Sequence, residues 1–153
     1  MKKVLVQAVV LTFTTILLWG CASTPPVADS QISLPVSFEQ VWYRATLERP
    51  GLLVMTDTGT VTVGHSGLDF RSESQTQHVR YEDMQKVSFG KVGTDFLNNW
   101  VIITYRIGEA DSYALLSGGK AEGWGSIGVA DQIFQMVRVA VERNGRGSIV
   151  ERK

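Results

Sequence analysis

Between Leu52 and Ser117 the chain is a succession of short alternating segments, each closed by turn chemistry, and that punctuation favours an antiparallel sheet over any helical arrangement. Val61 and Val63, Leu68 and Phe70, and Val87 and Phe89 alternate with polar neighbours, the period-two pattern of strands buried on one face. Seven strands are predicted, over residues 52–56, 60–64, 67–71, 76–80, 85–91, 99–107 and 112–117. Their separators are Asp57-Thr58-Gly59, Ser66-Gly67, Ser72 to Gln75, Glu82-Asp83, Gly93 to Asn98 and Gly108 to Asp111, which supply the residues that tight reversals need. Trp100-Val101-Ile102-Ile103 is apolar on both faces and is expected as the central, most covered strand.

The pattern is helical on either side of this region. Ser37 and Gln40 have capping-box spacing, and Phe38, Val41, Trp42 and Ala45 recur on one helical face, which predicts a short helix from Ser37 to Leu47 stopped by Pro50-Gly51. After a glycine-rich loop from Gly118 to Gly128, the residues Val129, Ile133, Met136, Val137, Ala140 and Val141 form one apolar stripe. Asp131 in the first turn, Arg138 and Arg143 towards the end, and Asn144-Gly145 as a C-cap complete the signature of a C-terminal helix. Gly145 to Lys153 reads as a frayed, basic tail.

Seven antiparallel strands followed by one amphipathic helix is the order of the pleckstrin-homology-like superfold, which the chain resembles from about Gly51 to Arg143. Gly67-Leu68-Asp69-Phe70 resembles the turn and third strand of bacterial pleckstrin-homology and GRAM-like domains. Val79-Arg80-Tyr81-Glu82-Asp83-Met84 resembles their hydrophobic-basic-Tyr-Glu-Asp junction, and Trp100 to Tyr105 their long core strand. The resemblance implies a mainly β fold with α: a seven-stranded, antiparallel, partly open barrel of two orthogonal sheets, plugged at one end by the C-terminal helix. The short N-terminal helix is an addition to it. The basic signature of the superfold's first hairpin is missing, because Met55-Thr56-Asp57-Thr58-Gly59-Thr60 has no lysine or arginine. Phosphoinositide recognition is therefore not implied.

The first residues give the address. Met1-Lys2-Lys3, an apolar run of about 16 residues from Val4 to Trp19, and a small residue before the cut are the parts of a secretory signal, too short to span a bilayer. Leu18-Trp19-Gly20-Cys21 resembles the lipobox of bacterial lipoproteins, although Trp19 stands where a small residue is usual. The resemblance implies that Cys21 receives a diacylglyceryl group, becomes the mature N-terminus and is acylated again. Two or three chains anchor a small domain where one holds it only marginally. Ala22 after the cysteine implies the outer membrane, facing the periplasm. Cys21 is the only cysteine, so no internal disulfide forms.

Ala22 to Ser30 is small, polar and proline-bearing, the composition of an unpacked linker. The expected organisation is a signal peptide at 1–20, the lipidated cysteine and linker at 21–34, the barrel with its added helix at 35–145, and a disordered tail at 146–153. Two of the 15 basic residues leave with the signal, so 13 face 15 acidic ones, a net charge of −2. Such a domain has no basic footprint for nucleic acid.

Other sequence features point away from chemistry. Gly123-Trp124-Gly125-Ser126-Ile127-Gly128 matches G-x-G-x-x-G, but a dinucleotide site needs a β-α-β unit and the chain ends after the helix. His65 and His78 fall on separate predicted strands without cysteine ligands or a recognisable carboxylate cluster, so no metal is expected. Glu82 and Asp83 are adjacent and diverge on an extended chain. Arg71, His78, Arg80 and Lys86 are balanced by Asp69, Glu73, Glu82 and Asp83 and read as a mixed, solvated face. The expected function is a non-enzymatic binding or scaffold module of the cell envelope, without cofactor, with the membrane through Cys21 and an envelope protein as partners. A head-group binder for lipid or glycan and an envelope hydrolase are the alternatives. Trp124, a large aromatic among glycines, is the candidate interface anchor, the alternative being that it folds back to cap the barrel.

Overall fold

The computed structural model describes residues 32–47, 57–93, 95–119 and 127–152, which belong to a compact unit beginning at Ile32. The strands are β1 (Val36–Arg44), β2 (Asp57–Val63), β3 (Gly67–Arg71), β4 (Thr76–Arg80), β5 (Met84–Val92), β6 (Asp95–Ile107), β7 (Ala110–Gly118) and β8 (Val150–Arg152), with one helix, α1 (Ile127–Arg143). They form one sheet in the order β4-β3-β2-β1-β7-β6-β5-β8. The architecture is mainly β with a C-terminal helix, as expected, but the described sheet has eight strands rather than seven.

Strand order dictates curvature. β4 and β5 lie at opposite ends of the antiparallel part, yet only Tyr81–Asp83 separate them. Seven strands laid flat would place their edges about 29 Å apart at about 4.8 Å per strand. A three-residue link reaches only about a third to half of that distance, so the sheet rolls until its ends approach. Tyr81 ties this link to the β2–β3 turn: its amide donates to Ser66 O at 3.0 Å and its hydroxyl to Gly64 O at 2.8 Å.

The predicted helix over Ser37–Leu47 is β1. Val36 and Phe38 face the core, Gln40 adopts φ 53°, and the pairing with β2 jumps from Phe38↔Val61 to Val41↔Gly59, one extra residue on β1. Beyond the bulge Val41 and Tyr43 face inward again, and Ala45 is exposed. Core positions thus fall at intervals of two, three and two, and the three supplied the helical spacing. The predicted strand over 52–56 lies outside the described residues. The tail is also corrected: Gly147–Ile149 make a single 3-10 turn and Val150–Arg152 pair with β5 as a parallel strand.

The core fills the rolled sheet and is closed by α1. Val61, Phe70, Val87, Val101, Ile103 and Leu116 from the strands meet Ala130, Ile133, Phe134, Val137, Ala140 and Val141 from the helix. Phe134 faces Phe89, with ring centroids 5.3 Å apart. The helix ends in a Schellman motif at Gly145 (φ 75°), with Arg146 N bonded to Val141 O at 3.0 Å and Gly145 N to Glu142 O at 2.9 Å. Side chains around that cap then bind the barrel's backbone. Asn144 Nδ2 donates to His65 O at 3.1 Å and Arg146 Nη2 to Met84 O at 2.7 Å. β6 lies inside the sheet between β7 and β5, and its outward residue Trp100 forms a second cluster with Trp42, Val92 and Leu115. The buried indole N–H of Trp100 donates to Asp95 Oδ2 at 2.9 Å.

Candidate functional site

Cys21 and Trp124 both lie outside the described residues. Several of the remaining charged positions form local pairs. Asp69 and His78 face each other across β3 and β4, with Nδ1 2.8 Å from Oδ1. Arg80 grips both members of the Glu82-Asp83 pair: Nε reaches Asp83 Oδ2 at 2.8 Å, Nη2 reaches Oδ1 at 3.1 Å, and Nη1 stands 2.6 Å from Glu82 Oε1. The bidentate guanidinium lowers the Asp83 pKa below the ordinary carboxylate value. His65 is exposed in the turn before β3 and uses its carbonyl as an acceptor for Asn144. Among the described residues no group of three or more histidine, cysteine or acidic side chains is placed to hold a metal.

The four cations sit on β3, β4 and β5. Arg71, His78 and Arg80 alternate along the outward side of β3 and β4. Lys86 sits on β5, next to the far end of the strand order, where Nζ is 2.7 Å from Glu151 Oε2. Three of the four therefore face a carboxylate, the mixed, solvated arrangement expected from their sequence context.

A carboxylate that the sequence suggested only as part of a turn has a dense polar environment. Asp57 opens β2 and accepts hydrogen bonds from Ser72 Oγ, from Ser74 Oγ at 2.5 Å, from Gln75 Nε2 at 3.2 Å and from the Thr58 amide at 2.8 Å. The serine hydroxyls, chiefly Ser72, lower its pKa to about 2. Because these donors belong to the β3–β4 turn, the cluster ties that turn to the start of β2.

The concave surface bordered by described residues includes three depressions. On the outer face of β5, β6 and β7, Lys86, Lys91, Ile102, Thr104 and Tyr113 line a depression of about 470 Å³. A second, of about 360 Å³, lies where Arg80 and Glu82 meet Asn144 and Arg146 below the helix cap. The third, of about 400 Å³, runs between α1 and β8 and is bordered by Phe134, Arg138, Glu142, Val150 and Arg152. Here Arg152 reaches over the rings of Phe89 and Phe134 at 5.7 and 6.0 Å from their centroids, and its Nη2 meets Asp131 Oδ1 at 2.7 Å. Sequence patterning missed this edge because three residues of strand are too few to show a period. The only legible signal was the apolar Ile149-Val150 followed by opposite charges in Glu151-Arg152.

The chain matches no family model and no curated protein. Among solved structures it is similar to the structure of the Spt16D Pob3N heterodimer, at 13% identity and a TM-score of 0.46, covering 80% of this chain and 55% of that one. It is also similar to the hSac2 domain from human phosphoinositide phosphatase Sac2, at 16% identity and a TM-score of 0.48, covering 73% of each chain. The chain thus spans little more than half the length of the first of these structures.

Proposed function

We propose that this chain is a lipid-anchored binding domain of the bacterial cell envelope, extracytoplasmic and without catalytic chemistry of its own. One observation carries the reading: Gly20-Cys21 closes a signal-like apolar run, and a proline-bearing spacer follows before the compact unit begins at Ile32. The anchor is then the acylated Cys21. The rolled sheet with its terminal helix is read as a pleckstrin-homology-like scaffold, and its partner as an envelope protein, with the outer membrane as the site. The carboxylate pairing of His78, Arg80 and Lys86 supports a protein partner over an anionic head group.

Lipidation is directly measurable. Labelled palmitate is expected to enter the wild-type chain, and intact-mass analysis to place the mature N-terminus at Cys21. Cys21→Ser should leave precursor or soluble protein. Label entering that variant, or a mature terminus elsewhere, would refute the anchor. Trp124→Ala tests the partner surface: recovery of envelope partners should fall by an amount matching about 2 kcal/mol or more, with thermal stability unchanged.

A further inference from the structure

Asn144 is the one asparagine of the chain that a glycine follows; Asn98 and Asn99 precede asparagine and tryptophan. In such a pair the main-chain nitrogen of the glycine can attack the side-chain carbonyl carbon of the asparagine, because glycine has no Cβ to obstruct the approach. Both residues are exposed and open to water, yet the helix cap holds the two groups that react. The Gly145 N–H is given to Glu142 O at 2.9 Å. Asn144 Nδ2 donates to Ala140 O at 2.8 Å and to His65 O at 3.1 Å, so both of its hydrogens are used. The attacking nitrogen is engaged, and the leaving nitrogen is tied both to the helix and to the turn between β2 and β3.

We propose that Asn144-Gly145 is a deamidation site, shielded while α1 is capped and reactive with water when the cap opens, whose product can no longer reseat the cap. In the open cap the Gly145 nitrogen loses its proton and bonds to Asn144 Cγ, the Cγ–Nδ2 bond breaks, and Nδ2 leaves as ammonia. Water then opens the resulting succinimide at either carbonyl, leaving aspartate or isoaspartate, and no electron donor or acceptor takes part. Either product is a carboxylate that cannot donate, so Ala140 O and His65 O lose this partner. Its charge lies against those two carbonyl oxygens at the negative end of the helix dipole, where an anion is disfavoured. Isoaspartate also lengthens the main chain by a carbon, out of step with the bond from Arg146 N to Val141 O. Arg146 in turn grips Glu82 O and Met84 O, so a released cap loosens the link between β4 and β5.

The test incubates the full chain in one mildly alkaline buffer with and without urea, then follows conversion of each asparagine by peptide mapping that separates aspartate from isoaspartate. In urea, residue 144 should convert faster than Asn98 or Asn99. In the folded chain it should convert at least about tenfold more slowly than in urea, as expected of cap hydrogen bonds that must open together. Equal rates in the two buffers would overturn the shield, and no preference for residue 144 in urea would overturn the site. The product's effect is read in Asn144→Asp, where amide exchange at Gly145 and Arg146 should accelerate at least about tenfold over wild type. Unchanged exchange would overturn the unseating of the cap. A second readout does not need that variant to fold: wild-type chain partly converted in urea and refolded is cut briefly with trypsin, whose target Arg146 the closed cap holds. Converted residue 144 should be enriched among molecules cut at Arg146, and equal shares in cut and intact molecules would also overturn the unseating.

Discussion

Asp57 draws four donors to one carboxylate, and its ionisation is accordingly tied to the β3–β4 turn. Its folded pKa of about 2 lies below the ordinary 3.8, so the stabilisation is fully present above that ordinary value and fades as pH falls towards 2. NMR titration of the carboxyl carbon should show the low midpoint, and Asp57→Asn should speed amide exchange at Ser74 and Gln75. A midpoint near 4 would show that the serines do not hold the charge. The buried tyrosines titrate in the opposite range. Burial, helped by Tyr105, pushes Tyr43 up to about 12, and burial also raises Tyr81 and Tyr105. An unfolded tyrosine ionises near 10 while the folded Tyr43 keeps its proton, so stability should fall as pH rises from 10 to 12. Absorbance at about 295 nm, the usual tyrosinate band, followed with circular dichroism should show the delayed ionisation coinciding with unfolding. At this scale the sequence set Arg80 against Glu82 and Asp83, but the two carboxylates, expected to diverge, sit in a 3-10 turn and both meet Arg80. The sequence was silent on Asp57, whose partners lie 15 to 18 positions away.

Elements behave differently, because a strand or helix is announced by repetition. β3 and β4 have their predicted bounds, β5, β6 and β7 gain residues at their ends, and β2 starts three residues earlier and ends one earlier than predicted. The misread element, β1, contains the irregularity: a bulge erases the period that would have betrayed a strand. That bulge supplies a test. Gln40 at φ 53° is in the left-handed region, which costs an ordinary L-residue about 1–2 kcal/mol. Glycine relieves that strain but adds about 0.5–1 kcal/mol of unfolded-state entropy. Gln40→Gly should therefore raise the unfolding free energy by up to about 1.5 kcal/mol and with it the denaturation midpoint, and Gln40→Val, β-branched and worse in that region, should lower both. Equal midpoints would mean that the bulge carries no strain. Gly119 is the bulge's neighbour, its amide bonded to Gln40 O at 2.8 Å, and a Cβ there would lie 2.5 Å from both that oxygen and Trp42 Nε1.

For the whole molecule the decisive quantity is the core shared by sheet and helix. Ile133 is fully buried in it, and Trp100 is buried in the outer cluster. Ile133→Ala and Trp100→Ala should each cost about 2–5 kcal/mol through lost burial and an unfilled cavity. Unchanged urea midpoints in both would show that neither cluster holds the fold together. Rolling of the sheet was implied by the superfold's strand order, whereas the parallel β8, outside that order, was not. The position of β1 also has a mechanical consequence. The spacer leads to Ile32 and then into β1, which is bonded to β2 on one edge and to β7 on the other, while Arg143 Nη1 holds Ile32 O at 2.8 Å. Tension arriving from a membrane tether would have to shear β1 from two neighbours at once. A load applied at the other terminus would meet β8, bonded along one edge over three residues, and would peel it away pair by pair. In an optical trap the chain should yield at much lower force when pulled from its C-terminus against a fixed point in the barrel than when pulled through Ile32, so β1 is the end better suited to bear load.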